Sequence, residues 1–294
     1  MMAKRVIFSG MAFFLLALTY ASALDLPTLD KNKIRVVVAP GKTEFGEIIV
    51  TNSSPDAKDL RLYLQDWKYA NTSEGTKEFM AINTTPLSCV SWINFSPAEF
   101  TIPAFGKQRV SYSIKVPVEA KGGYYACLFF ETSLAGTFPK EEEQGKINAG
   151  VDFLIRSACL FYVEAEGTVK RELKFDNLHL TKENAQGPLK VEVSCLNTSN
   201  TDIVASGTYH IMDNEGVVYA RGEFNNAYTF SGDSAKFSAL WKEQLPKGKY
   251  GLVMTFDIGK ALEEAGIGRG PIVVRESQIE VGDNGEVVRV GELK

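Results

Sequence analysis

The sequence runs to 294 residues with a formal net charge of −4, 45% hydrophobic residues and 23% charged ones. These are the values of an ordinary globular chain, and there is no basic excess to attract nucleic acid or an anionic membrane surface. Four cysteines and two histidines in spacings that match no metal-ligand pattern give no reason to expect a metal or a cofactor.

At the N-terminus Lys4 and Arg5 precede an uncharged apolar run, Val6 to Tyr20, and Ala21-Ser22-Ala23 supplies small residues at −3 and −1. This is the layout of a cleavable secretory signal over residues 1–23. A helix of that apolar length spans only ~22 Å, short of a ~30 Å hydrocarbon core. No later segment is apolar enough over a sufficient length. The expectation is therefore export to the periplasm or cell surface, with no membrane insertion once the signal is removed.

After the signal almost every segment has the two-residue period of a strand, punctuated by Gly, Pro, Asn and Asp. The first half offers Ile34–Ala39, Glu47–Thr51, Asp59–Trp67, Glu99–Ile102, Arg109–Val116, Tyr124–Thr132 and Val151–Ala165. Glu166-Gly167 reads as a junction. Beyond it come Leu173–Leu180, Leu189–Leu196, Val204–Met212, Val217–Arg221, Tyr228–Phe230, Ala235–Trp241, Tyr250–Asp257 and Ile272–Val281, with one helical patch at Gly259–Ala265. Short strands without βαβ alternation predict an all-β chain of two immunoglobulin-like antiparallel β-sandwiches in tandem, residues 24–165 and 166–294. The halves share a device, a strand running into Asn52-Ser-Ser54 in one and Asn197-Thr-Ser199 in the other.

Chemistry-bearing motifs are scarce. His179 and His210 lie in different strands with no evident nucleophile or orienting carboxylate. No nucleophile elbow, phosphate loop or dinucleotide fingerprint occurs. Trp67, Trp92 and Trp241 sit within alternating strands, so core packing is expected ahead of a carbohydrate platform. Catalysis is not expected. Cys127 and Cys159 both fall in strand-like runs; a cross-strand disulfide between them and a set of four buried thiols are both open readings. The Asn-X-Ser/Thr sequons are read as turn residues first.

The stretches Arg35-Val-Val-Val-Ala-Pro-Gly41, Ile48-Ile-Val-Thr-Asn-Ser-Ser54, Leu62-Tyr-Leu-Gln-Asp-Trp67, Val90-Ser-Trp-Ile-Asn-Phe-Ser-Pro97 and Leu160-Phe-Tyr162 follow one another in an order that resembles the N-terminal domain of PapD-like periplasmic pilus-assembly chaperones. The resemblance implies a protein partner, a pilin-like or surface subunit, bound by lending it a β-strand. It places the donor strand at Val151–Val163, with Val151, Phe153, Ile155 and Phe161 among its alternating side chains. Arg35 falls where that family carries an Arg that anchors the subunit's terminal carboxylate. The family's Lys partner is replaced by Cys159, and the nearest cation, Arg156, lies on the other face of the strand. The donor strand is apolar on both faces, which is also the pattern of an interior strand. In that family the loop Ser133–Gly150 ahead of it is ordered by the client. The two halves together are also similar in plan to surface proteins of Gram-positive bacteria that join a PapD-like sandwich to a second Ig-like domain. That similarity implies the alternative role, an envelope structural module binding glycan or a partner surface protein.

Overall fold

Alternating burial along strands such as Lys107–Lys115 and Leu189–Asn197 builds much of the molecule. In the computed structural model the described residues are 26–70, 74–134, 153–182, 184 and 187–294; the expected signal, Val151 and most of the loop before it lie outside them. The first sandwich comprises β1 (Thr28–Leu29), β2 (Lys33–Val38), β3 (Thr43–Thr51), β4 (Lys58–Tyr69), β5 (Lys77–Met80), β6 (Ile93–Ser96), β7 (Glu99–Ile102), β8 (Lys107–Lys115), β9 (Gly122–Ser133) and β10 (Leu154–Ala165). One sheet has the order β1-β3-β8-β6, the other β2-β10-β9-β4-β5 with β7 also pairing β4. In β8 the side chains of Val110, Tyr112 and Ile114 are buried between exposed or half-buried neighbours, and they meet Ile48, Val50, Leu128 and Phe161 in the core between the sheets.

The second sandwich comprises β11 (Leu173–Lys182), β12 (Leu189–Asn197), β13 (Ile203–Met212), β14 (Val218–Glu223), β15 (Ala227–Thr229), β16 (Ser234–Trp241), β17 (Gly248–Asp257), a single-turn helix α1 (Lys260–Glu264), β18 (Ile272–Val281) and β19 (Val287–Val290). Its sheets are β11-β12-β16 and β14-β13-β17-β18-β19, with β15 also pairing β13. Val191, Val193, Phe237, Tyr209, Leu252, Met254 and Phe256 fill the space between them. The all-β tandem sandwich expected from periodicity is the observed fold.

The shared Asn motif has the same structural job in both halves. The Asn52 amide nitrogen donates to the carbonyls of Asp56, Ile102 and Pro103, while its oxygen accepts from the Ser54 backbone N–H. Asn197 donates to the carbonyls of Thr201 and Thr229 and accepts from the Ser199 N–H. Both residues are buried, so they tie loop to loop, as buried amides must be hydrogen-bonded.

Two features govern the edge of the first sandwich and its junction with the second. The N-terminal segment changes sheets, β1 pairing β3 antiparallel and β2 pairing β10 parallel. The second sandwich also meets the first through its loop at Asn200. The Gly123 N–H donates to the Asn200 carbonyl at 2.9 Å, and a Cβ at Gly122 would stand 2.1 Å from that same oxygen. Only glycine permits that approach, and Gly122 also takes a φ of +85°.

Candidate binding interface

Strand β10 has two different halves. From Leu160 to Ala165 it lies between β9 and β2 and is buried on both faces. Phe161, Val163 and Cys159 point into the core, whereas Leu160 and Tyr162 join an outer cluster with Trp67, Tyr69, Tyr125, Cys127 and Phe129. The second sandwich covers this cluster: its Phe230 stacks on Tyr125 at 4.1 Å and meets the Trp67 ring edge-on at 5.1 Å. The apolar character of both faces is thus accounted for here by an interior strand.

From Leu154 to Cys159 the strand pairs only with β9 among the described residues, because the register with β2 begins at Leu160. The Leu160 N–H donates toward β2, to the Asn32 carbonyl, while the Phe153 carbonyl accepts on the β9 side from Leu134. Alternation then turns the N–H and C=O groups of Leu154, Arg156 and Ala158 outward, to an edge with no described strand alongside. Phe153 and Leu154 are 62% and 51% exposed at its start. Ile155 and Ser157 face inward, against Leu26, Pro27 and Leu29. Such an edge is a template for a further strand.

Arg35 sits on β2 beside this edge, but it is engaged elsewhere. One Nη donates to Glu164 at 2.8 Å and to Asp202 at 2.9 Å, and the other donates to Asp202 at 2.5 Å. Arg171 donates to the same Glu164 carboxylate. The side chains of Arg35, Glu164 and Asp202 are 1%, 4% and 0% exposed. The Tyr162 ring lies 4.3 Å from the guanidinium, and the Tyr125 hydroxyl accepts from the Asp202 backbone N–H. Burial alone would lower the Arg35 pKa, but the Asp202 carboxylate, by charge and hydrogen bond, and then Glu164 raise it above the ordinary guanidinium value. Two arginines and two carboxylates, one from the second sandwich, close a neutral network across the junction.

This arrangement corrects several sequence expectations. Arg35 has no Nη group facing solvent for a partner's carboxylate. Phe161 is fully buried in the covered half of β10. Cys127 and Cys159 do not form a disulfide: all four cysteines are buried thiols. Cys159 lies opposite Leu128 and Cys127 opposite Leu160, one on each face of the sheet, so their Cβ atoms point apart. Burial pushes the Cys159 thiol up to about 12. Arg156 does lie on the outer face, stacked 4.4 Å from the Phe129 ring. Phe153 and Ile155 flank the open edge, on opposite terms of exposure, and Val151 lies outside the described residues. The residues missed from sequence are Glu164, Arg171 and Asp202. A single Glu between Val163 and Ala165 in an otherwise apolar strand was the available signal, since such a charge requires a buried partner.

The cleft between the sandwiches opens beside the network. A cavity of about 360 Å³ is lined by Lys33, Lys77 and Lys260, by Phe79, Tyr162 and Tyr228, and by Ala158 and Leu160 of β10. Lys33 lies over the Tyr162 ring at 5.3 Å and 3.9 Å from Glu264. Burial, and then the nearby Arg35 charge, lower its pKa below the ordinary lysine value. Among the described residues no group of three His, Cys, Asp or Glu side chains could hold a metal, and no helix is long and apolar enough to cross a membrane.

No protein-family model matches the chain, and no curated protein matches it either. Among solved structures it is similar to the Class 5 fimbriae chaperone CfaA, with TM-score 0.46, 12% identity, and 85% of this chain and 97% of that one covered. It is also similar to a chain of the CsuC–CsuE chaperone–tip adhesion subunit pre-assembly complex from the archaic chaperone-usher Csu pili of Acinetobacter baumannii (TM-score 0.40, 13% identity, 85% and 96% covered). A third is the E. coli chaperone DraB (TM-score 0.40, 12% identity, 80% and 93% covered). At these levels the likeness concerns fold alone.

Proposed function

We propose that this is an exported, non-catalytic binding protein of the periplasm or cell envelope that assists assembly of a surface polymer by lending a β-strand edge to a pilin-like or surface subunit. The observation that carries the reading is the open edge of β10 at Leu154, Arg156 and Ala158, flanked by exposed Phe153 and Leu154. Main-chain hydrogen bonds along such an edge supply affinity, and alternate side chains supply specificity. The signal-like N-terminus supports export, and the PapD-like order of motifs supports the subunit class.

The test places a proline at the open edge. In Ala158→Pro the lost N–H faces outward, so β9 pairing is kept. Pull-down from an envelope extract should recover a subunit with the wild-type chain and lose it with Ala158→Pro. Unchanged recovery with the proline variant, or recovery of glycan fragments in place of a protein, overturns the reading.

A further inference from the structure

The larger sheet of the second sandwich carries an open groove on its outer face. Two adjoining cavities of about 390 Å³ and about 410 Å³ share Gly251, Val253, Gln278, Arg289 and Gly291, so they form one trough across β17, β18 and the end of β19. The ladder sets Met212, Gly251 and Gln278 side by side, and the Gly291 N–H donates to the Gln278 carbonyl from the next position. A glycine thus lies on each side of Gln278. At a strand spacing of ~4.8 Å the row from Met212 to Gly291 is about 14 Å long.

Gly251 lies inside β17 without an internal reason to be glycine. It takes no positive φ, and a Cβ there would meet nothing closer than the Met212 carbonyl at 3.9 Å. Glycine weakens a strand interior, and it commonly marks a place where something approaches the backbone closely. Here the missing side chain keeps the trough open from outside. The polar groups around it are unspent. Among the described residues the side chains of Lys249, Gln278, Glu280 and Arg289 have no hydrogen-bond or ion-pair partner, although Glu280 stands opposite both Lys249 and Arg289 in the ladder.

The chemistry of the lining selects the ligand class. In each cavity two basic side chains stand against two acidic ones, Lys249 and Arg289 against Asp213 and Glu280 in the first. An anion or a cation laid there meets as many like charges as opposite ones. A ligand whose groups both donate and accept suits Arg289 as donor, Glu280 as acceptor and the Gln278 amide as both. Sugar hydroxyls have that property, and a pyranose ring also has an apolar face to set on the half-buried Val253 and Met212. A peptide strand gains less, because the main chain beneath the trough is already paired within the sheet. We infer that this face is a binding site for an uncharged oligosaccharide, laid across the strands over Gly251 and Gly291 and hydrogen-bonded by Gln278, Arg289 and Glu280. The site goes beyond strand donation and is independent of it, since β10 belongs to the first sandwich. An envelope extract should therefore yield glycan together with the protein subunit.

The experiment is calorimetric titration of the chain lacking its signal with chitotetraose, cellotetraose and maltotetraose, and with tetragalacturonate as the anionic counterpart. At least one neutral tetrasaccharide should bind, and tetragalacturonate should bind at least about tenfold more weakly than that sugar. Gly251→Val fills the trough without a clash and should abolish sugar binding while the urea midpoint is kept or raised. Arg289→Ala, at the exposed end of the trough, should weaken binding about tenfold with unchanged stability, so the test survives if the valine variant misfolds. Ala158→Pro should bind sugar as the wild type does. No binding of any neutral tetrasaccharide, tighter binding of tetragalacturonate, or wild-type affinity in folded Gly251→Val or in Arg289→Ala overturns the inference and leaves strand donation standing. Loss of sugar binding in Ala158→Pro overturns it as well, by moving the sugar to the first sandwich.

Discussion

Replacing Asp202 by Ala removes one carboxylate from a network that is neutral as built. Arg35 and Arg171 then face Glu164 alone, leaving one positive charge in excess in a site where Arg35 is 1% exposed. Removing one member of a buried ion pair costs about 3–5 kcal/mol, because the remaining charge stays desolvated. The Tyr125 hydroxyl, which also lies 3.3 Å from the Asp202 carboxylate, loses that neighbour as well. Arg35→Met alone makes the opposite error, two carboxylates against Arg171, and should cost a similar amount. The double variant restores balance through the Arg171–Glu164 pair, so it should be more stable than the sum of the single effects by at least about 2 kcal/mol. Urea unfolding of all four proteins gives the cycle directly. A cost below about 1 kcal/mol for Asp202→Ala, or additive single effects, would refute the view that these charges act as one set.

Ser157→Pro removes an N–H that points to β9 and should destabilise the first sandwich by about 3 kcal/mol or more, while Ala158→Pro should stay within about 1 kcal/mol of wild type; denaturant midpoints separate the two. Gly122→Ala places a methyl against the Asn200 carbonyl at a φ of +85°, and should lower stability by more than about 1 kcal/mol and speed proteolysis at the junction. Burial holds the thiols of Cys159 and Cys195 protonated up to about 12 and about 11, whereas in the unfolded chain they ionise near 9. The unfolded state therefore sheds protons first, and stability is complete below about pH 9 and falls as pH rises toward 12. Urea midpoints at about pH 8 and about pH 10.5 should show that loss, and all four thiols should resist alkylation at about pH 8 until denaturant is added.

Strand periodicity was legible because most strands here have one wet face. Glu99–Ile102 and Ile272–Val281 coincide with the observed elements, and the expected helical patch contains α1. The strands that escaped notice, β1, β5, β6 and β19, have at most four residues each, and their burial does not alternate cleanly enough to mark them. The charged network across the junction escaped for a different reason. Its partners come from strands far apart in the chain, and no local pattern reports that Asp202 will meet Arg35. The resemblance draws attention to Arg35, and the structure pairs it internally with Glu164 and Asp202. The open half of β10 was equally hidden: the expected strand is continuous, and only the sheet change between β1 and β2 decides where its neighbour stops.

The network has a consequence for how such a sequence diverges. Freeing Arg35 would require losing Glu164 and Asp202, and losing those strands Arg171, so no single substitution passes through a balanced intermediate. Position 35 is therefore entrenched, and relatives are expected to carry all four residues or to have exchanged them together.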